Sequence, residues 1–159
     1  MSHLIPGYVI STGSGLDRAM LVKFMQKTYQ ELFAEQDFSH LARTVEQYLS
    51  SETPLWWVYL ENSNIGRSPV ACLWVGNAID QVRGDRYAHI FLLYVTPEHR
   101  RKGIATALLK HLENWAAARG DRQIGLQVFH SNSNALNLYE QLGYQTQSLW
   151  MVKPLSLGD

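Results

Sequence analysis

The first half of the chain has apolar periods that predict one strand, two helices and then a pair of strands. Residues 8–11 predict a strand, and a glycine-rich segment separates it from a helix over about residues 16–33. A second helical period covers roughly residues 39–49, and residues 56–60 and 70–75 predict paired strands joined by a turn rich in Asn, Ser and Gly. The apolar face of the first helix is predicted to consist of Leu16, Met20, Phe24 and Met25, and the cap of the second is predicted to be Ser39.

The second half of the chain alternates strands and helices. Residues 89–95 are almost uninterruptedly apolar, which is typical of a central strand covered on both faces. Residues 102–119 follow a helical period, and residues 124–129 predict the next strand. These three segments form a β-α-β unit, so the two strands should be parallel with a right-handed crossover. A shorter helix is predicted over about residues 134–142 and a last strand over residues 144–153.

Composition places mild limits on function. A chain of 159 residues with 46% hydrophobic content is long enough for one domain over residues 1–159 with a full core. The 14 basic and 14 acidic side chains balance, which argues against nonspecific binding to nucleic acid or a membrane surface. Cys72 is the single cysteine, so a disulfide framework and a cysteine-rich zinc site are excluded, and its apolar neighbours predict a core thiol. Without a charged leader or a long apolar run, the chain is expected to be soluble and cytoplasmic.

The segment between the central strand and the following helix carries unusual charge. Residues 100–102 are Arg-Arg-Lys and fall on the predicted first turn, where exposed N–H groups and the helix dipole favour acidic side chains. A bound anion would explain this reversal. Because Gly103 and Ala105 keep the approach to the backbone open, the N–H groups from Arg101 to Thr106 are predicted to close around a phosphate or pyrophosphate.

Another interpretation of the same segment needs no anion. Thr96, Pro97 and Glu98 fit a cap, a first-turn proline and an early acid, with the basic cluster simply solvated. Neither common nucleotide loop is present, since the sequence has no G-x-G-x-x-G after a strand and no G-x-x-x-x-G-K-[ST].

Two motifs in this order resemble the GNAT superfamily of N-acetyltransferases, most strongly over residues 87–155. They are Arg100-x-x-Gly103-x-Ala105 and Asn132-x-x-Ala135-x-x-Leu138-Tyr139-Glu140-x-Leu142-Gly143-Tyr144. The resemblance implies an α/β (α+β) fold with a mixed, mainly antiparallel sheet of six or seven strands flanked by helices. In such folds two central parallel strands, here those ending near Val95 and Phe129, splay apart around the β-α-β unit. The family's cofactor and acyl donor is acetyl-CoA, and its acyl arm would lie in that split.

The resemblance also implies which residues contact coenzyme A. The turn from Arg101 to Thr106 corresponds to the pyrophosphate loop, and the strand end from Leu93 to Val95 to the main-chain edge that pairs with the pantetheine arm. Asn132 matches an asparagine that contacts the cofactor. The expected cofactor-binding residues are Leu93, Tyr94, Val95, Arg100, Arg101, Lys102, Gly103, Ile104, Ala105, Thr106, Asn132 and Tyr139.

Tyr139 matches the family tyrosine placed near the cofactor sulfur. A phenol there can donate a hydrogen bond or a proton to the thiolate that leaves when an amine attacks the thioester. The alternative is simple packing on the apolar face of the short helix. Asn134 lies close to Asn132 in sequence and is the predicted cap of that helix.

The general base is expected to be His89. Some family members carry a glutamate on the central strand eleven residues before the first motif residue, a position held here by His89; others carry it five residues before the asparagine, where this chain has Gln127. Glutamine cannot accept the proton, whereas the ordinary histidine pKa of ~6.5 suits a base near neutral pH. The alternative is a histidine satisfied at the edge of the sheet. Glu98 and Asp85 are weaker candidates.

The acceptor is expected to be a primary amine of a small molecule or a peptide. In this superfamily the loop between the first two helices and the hairpin before the central strand select the acceptor, here residues 33–39 and 76–86. The resemblance implies direct transfer from acetyl-CoA, without a covalent intermediate and without a metal. A catalytically silent module that binds or senses acyl-CoA is the alternative. The expected partners include no nucleic acid and no membrane, and the protein is expected to be a monomer or homodimer.

Overall fold

Six strands form one sheet whose spatial order follows the order of the strands along the chain. Neighbouring strands are antiparallel except for the last two, which are parallel. The mixed, mainly antiparallel sheet expected from the resemblance is therefore confirmed. The strands are β1 (Ser2–Ile5), β2 (Tyr8–Thr12), β3 (Leu55–Leu60), β4 (Ala71–Ile79), β5 (Arg86–Val95) and β6 (Ile124–Leu126). The sequence did not predict the short β1, because four residues are too few to show the apolar alternation of a strand.

The computed structural model describes residues 1–62 and 68–157. The chain divides into two compact units, Met1–Gln127 and Val128–Asp159, and the whole sheet belongs to the first. A single domain over residues 1–159 stays a prediction. Most of the predicted Asn, Ser and Gly turn between β3 and β4 lies outside the described residues.

Four helices accompany the strands: α1 (Arg18–Leu32), α2 (Leu41–Tyr48), α3 (Ile104–Arg119) and α4 (Ser133–Gln141). A single 310 turn, Gly15–Asp17, precedes α1 and is capped by Ser14. Leu16 lies in that turn and is 96% exposed, so its predicted place on the buried face is wrong. The prediction of Ser39 as a cap is also wrong. His40 occupies the cap position of α2 without a side-chain hydrogen bond, and Ser39 instead donates its backbone N–H to Asp37.

The core of the first unit lies on both faces of the sheet. On one face, buried residues of α1 and α2 pack with residues of β3, β4 and β5 in one apolar cluster. On the other face, Trp56 of β3 makes edge-to-face ring contacts with His111 and Trp115 of α3. Cys72 is fully buried in the first cluster, and burial raises the pKa of its thiol, as expected of a core thiol. The cluster consists of Leu21, Phe24, Met25, Phe38, Leu41, Val45, Leu55, Trp57, Cys72, Trp74, Leu92 and Tyr94.

The predicted β-α-β unit consists of β5, α3 and β6, and its two strands are parallel. Pairing between them covers only Ala88–Ile90 against Ile124–Leu126, so β6 is half the predicted length. The predicted strand over residues 144–153 is wrong, since no strand is assigned there in the described part of the second unit. Apolar alternation marks a segment that can become a strand, but a strand also needs a partner for its N–H and C=O groups.

Within residues 1–62 and 68–157, no helix is long and apolar enough to cross a membrane.

Candidate functional site

The turn between β5 and α3 contains the basic residues singled out by the sequence. The helix begins at Ile104, so all three basic residues precede it; the prediction that they lie on its first turn is wrong. The backbone explains the later start. Arg101 (φ 61°) and Gly103 (φ 87°) both have left-handed conformations, which a right-handed helix cannot include. Gly103 supplies its conformation without a Cβ penalty and becomes the residue just before the helix.

The backbone N–H groups of this turn are free to bind an anion. The first helical hydrogen bond runs from the N–H of Ala107 to the carbonyl of Gly103 at 3.0 Å. For the N–H groups from Arg101 to Thr106, the described residues provide no acceptor. A Cβ placed on Gly103 would meet no atom within 4 Å, so the space beside this residue is open. Such a set of unpaired donors at a helix start suits a phosphate or diphosphate.

Arg100 differs from the two basic residues that follow it. Its Nε donates to the carbonyl of Val95 at 2.8 Å, and its Nη2 lies 2.7 and 2.9 Å from the two carboxylate oxygens of Glu31. The hydroxyl of Tyr94 donates to the same carboxylate at 2.7 Å. Glu31 is a site residue that the sequence reasoning missed. No sequence signal connects it with Arg100, because 69 positions separate the two.

A second long-range contact also holds the turn. The Tyr8 hydroxyl of β2 and Nδ1 of His99 are 2.7 Å apart, and the two rings meet edge to face. The backbone of Thr96 donates to the carbonyl of Val70 at 2.8 Å. The turn is therefore fixed at several points before any ligand is bound.

The end of β5 has one unpaired side within the first unit. Leu93, Tyr94 and Val95 pair with β4 on one side, whereas β6 stops pairing with β5 at Ile90. Along the described strands, the other edge of these residues is not bonded to a strand. This matches the splayed pair that the resemblance implies, and an extended ligand can add to such an edge.

A β-bulge interrupts the pairing of β4 and β5 next to His89. Trp74 is opposite Leu92 and Val75 is opposite Ile90, which leaves Phe91 as an extra residue of β5. A bulge re-aims side chains locally and often occurs beside active sites. The sequence analysis missed it, because an apolar strand looks the same with one residue more or less.

His89 lies between two glycines, one on each neighbouring strand. Its register partners are Gly76 of β4 and Gly125 of β6. A Cβ on Gly76 would overlap the ring of Phe91, and one on Gly125 would come within 2.6 Å of the ring of Tyr87. Both rings meet the imidazole at steep angles, with centroids 5.5 Å (Phe91) and 6.5 Å (Tyr87) away. The missing side chains thus make room for two rings that flank His89.

The surroundings of His89 favour its neutral form. The ring is half-buried, and burial lowers the pKa of the imidazole below its ordinary value. Nδ1 is buried and has no hydrogen-bond partner in the described part of the chain. No carboxylate there forms an ion pair with the ring that would raise the pKa again.

The other base candidates lie in less suitable places. Asp85 lies 3.9 Å from Nε of Arg83 and 3.8 Å from Nε of Arg122, so two guanidinium groups lie beside its carboxylate. Glu98 is exposed on the turn, and Gln127 is exposed as well.

Asn132 and Tyr139 both lie in the second unit, at the start and in the seventh position of α4. The side chain of Asn132 accepts a hydrogen bond from the N–H of Ala135 at 3.3 Å and caps the helix, so the prediction of Asn134 as the cap is wrong. Two turns of helix separate Asn132 from Tyr139, which places them on the same face. Tyr139 is half-buried, its ring meets that of Tyr144 at 5.4 Å, and burial raises the pKa of its phenol.

The two segments expected to select the acceptor have different characters. In the loop over residues 33–39, Phe38 is buried in the core and packs against Tyr29, so it is not available to a ligand. Glu35 is exposed with a left-handed backbone, and hydrogen bonds from Ser39 lower the pKa of Asp37. The hairpin ends in a shallow depression lined by Asp80, Arg83, Asp85, Arg86, Tyr87, Arg122 and Gln123.

Comparison with known proteins gives a consistent family. The model of the Acetyltransferase (GNAT) family matches residues 20–144. A Bacillus subtilis (strain 168) protein named "Uncharacterized N-acetyltransferase YycN" is 34% identical over 107 residues, which span 65% of this chain and 65% of that protein. A Yersinia pestis (strain Pestoides F) protein named "Acetyltransferase" is 29% identical over 136 residues, covering 81% of this chain and 89% of its own length.

A solved structure shows the same fold. A predicted acetyltransferase from Clostridium acetobutylicum, determined with acetyl-CoA, superimposes with a TM-score of 0.74 at 19% identity over 92% of this chain and 96% of its own. Open N–H groups at the start of α3, a splayed parallel pair and a matching family model thus agree. The chain belongs to the Acetyltransferase (GNAT) family and is an acetyltransferase.

Proposed function

We propose that this protein transfers an acetyl group from acetyl-CoA to a primary amine by direct attack of the amine on the thioester. The observation that carries the proposal is the turn before α3, where the N–H groups from Arg101 to Thr106 have no acceptor among the described residues. An anionic ligand at the start of α3 would provide acceptors for N–H groups of this kind.

The residues of the first unit suit coenzyme A. The turn would hold the diphosphate, with Arg101 and Lys102 adding charge, and the unpaired edge of β5 from Leu93 to Val95 would hold the pantetheine arm. In the second unit, Asn132 keeps its amide NH2 group to donate to the cofactor while its oxygen caps α4. The acetyl-CoA in the Clostridium acetobutylicum relative supports this choice of co-substrate.

His89 would accept the proton of the attacking amine. The lowered pKa keeps the imidazole neutral at physiological pH, so one of its two ring nitrogens has a lone pair for the proton. Its place beside the bulge, at the parallel pairing of β5 with β6, is close to the point where the two strands separate.

Tyr139 would donate to the leaving thiolate. Its raised pKa keeps the phenol protonated throughout the working pH range, so it can donate a hydrogen bond to the thiolate. Direct transfer is favoured over a covalent enzyme intermediate, because the thiol of Cys72 is fully buried and its pKa is raised.

The proposal also covers the acceptor, the cellular location and the oligomeric state of the enzyme. The acceptor amine belongs to a small molecule or a peptide, and residues 33–39 and 76–86 contact it. A cytoplasmic location suits a chain whose single cysteine is a buried free thiol. The active protein is a monomer or a homodimer.

The experiment is thiol release from acetyl-CoA across a panel of polyamines, amino acids, aminoglycosides and peptides with free N-termini, together with calorimetry of CoA binding. Tight CoA binding and amine-dependent thiol release would support the proposal. CoA binding without release for any amine would favour the sensing module instead. A protein that does not bind CoA would contradict both.

A further inference from the structure

Glu31 joins the last turn of α1 to the turn that precedes α3. Its carboxylate accepts three hydrogen bonds from two donor atoms: two from Nη2 of Arg100 at 2.7 and 2.9 Å and one from the hydroxyl of Tyr94 at 2.7 Å. The guanidinium of Arg100 also lies over the ring of Tyr94, 5.5 Å from its centroid. Both charged side chains are about 40% exposed (43% for Arg100 and 39% for Glu31), so the ion pair alone would contribute little to stability.

The contact matters because of where it holds Arg100. With Nη2 fixed on Glu31, Nε of the same guanidinium donates to the carbonyl of Val95 at 2.8 Å. Arg100, which directly precedes the left-handed Arg101, is therefore tied to Val95, the last residue of β5. The chain between Val95 and Arg100 leads into the N–H cradle over residues 101–106.

The same contact changes the charge balance of the turn. Of its three consecutive basic side chains, Arg100 is neutralised by Glu31, whereas Arg101 and Lys102 form no ion pair with any described residue. An anionic ligand would thus meet two uncompensated cations rather than three.

We propose that Glu31 is a positioning residue for coenzyme A, which orients Arg100 and thereby keeps the N–H groups of the turn directed at the diphosphate. This inference rests on the proposed function, because it assumes that coenzyme A binds at the turn. Glu31 itself carries negative charge and does not touch the ligand. By positioning Arg100, Glu31 favours CoA binding, whereas its negative charge disfavours binding of the anionic ligand.

These two effects predict opposite signs when the charge is removed. Glu31→Gln deletes a negative charge close to the turn, which by electrostatics alone would strengthen binding of the anionic CoA. If Glu31 positions Arg100, binding weakens instead, because an amide oxygen cannot hold the guanidinium and the phenol as a carboxylate does. Glu98→Gln is the matched control. Glu98 is exposed on the same turn, and none of the described residues bonds to its carboxylate.

The experiment measures the dissociation constant of CoA by calorimetry and the unfolding temperature of each variant. We expect Glu31→Gln to bind CoA about three- to tenfold more weakly, a range that allows for its partial exposure. Glu98→Gln should bind equally well or more tightly. Arg100→Lys keeps the charge but loses the two-sided contact, so it should weaken binding by a similar factor.

The double variant Glu31→Gln/Arg100→Lys separates positioning from a general loss of stability. If Glu31 acts through Arg100, the double variant binds CoA no more weakly than the weaker single variant. Additive losses, or Glu31→Gln binding as tightly as Glu98→Gln, would overturn the inference while leaving the proposed function intact. Wild-type protein that fails to bind CoA would overturn the proposed function and this inference with it.

Discussion

Replacing Gly103 with Glu tests the proposed diphosphate cradle most directly. Gly103 has φ 87°, and no atom lies within 4 Å of the point where a Cβ would stand, so a side chain fits sterically but strains the backbone. A non-glycine residue in this conformation costs ~1–2 kcal/mol, which should lower the unfolding temperature by roughly 2–8 °C in a chain of this size. The fold should therefore survive.

The effect on CoA should be much larger than the effect on stability. The new side chain would add a carboxylate in the middle of the segment whose N–H groups are expected to bind the diphosphate, where it would repel the anionic ligand. Losing two hydrogen bonds to a charged ligand, at ~1.5 kcal/mol or more each, weakens binding by about 100-fold or more. Calorimetry with CoA measures this loss, and circular dichroism checks the fold.

Gly84→Glu provides the control for strain and charge. Gly84 has φ 80° and equally open surroundings, so the same substitution imposes similar backbone strain. It precedes β5, whose ten residues at ~3.3 Å each place it about 30 Å from the turn. Gly84→Glu should lose a similar amount of stability and bind CoA as the wild type does. Unchanged CoA affinity in Gly103→Glu would refute the cradle.

Three further predictions concern other residues of the site. His89→Ala should lower kcat by ~10²–10⁴-fold with an active acceptor. Because burial lowers the imidazole pKa, wild-type kcat should fall on acidification only at pH values below the ordinary histidine pKa. The same pH profile in His89→Ala as in wild type would argue against the base role. Tyr139→Phe should lower kcat more than it weakens acetyl-CoA binding, whereas a tyrosine that only packs would leave both almost unchanged. Gly76→Ala should lower the free energy of unfolding by about 1–3 kcal/mol, because the new methyl overlaps the ring of Phe91, and denaturant unfolding beside wild type would measure this.

The sequence was sufficient where local patterns decide the structure. The apolar run of β5, the helical period of α3 and the glycine that ends it predicted a β-α-β unit with parallel strands, and the structure has one. Cys72 was predicted as a core thiol from its apolar neighbours alone. In each case the deciding forces act between residues close in sequence or follow from burial of an apolar side chain.

Element boundaries and partners required the tertiary structure. The predicted start of α3 was two residues too early, because periodicity does not show that Arg101 and Gly103 adopt left-handed conformations. The strand expected over residues 144–153 also failed, because pairing depends on a neighbouring strand and not on the segment itself.

The candidate site also combines features that the sequence predicted with features that only the tertiary structure shows. The sequence pointed to the cradle over residues 101–106, since reversed charge and small residues at a predicted helix start are local features. It gave no sign of Glu31, which meets Arg100 across 69 positions, or of the extra residue Phe91 in β5. Both depend on how separate elements pack and on strand register, which are set by the whole sheet and its core rather than by nearby residues.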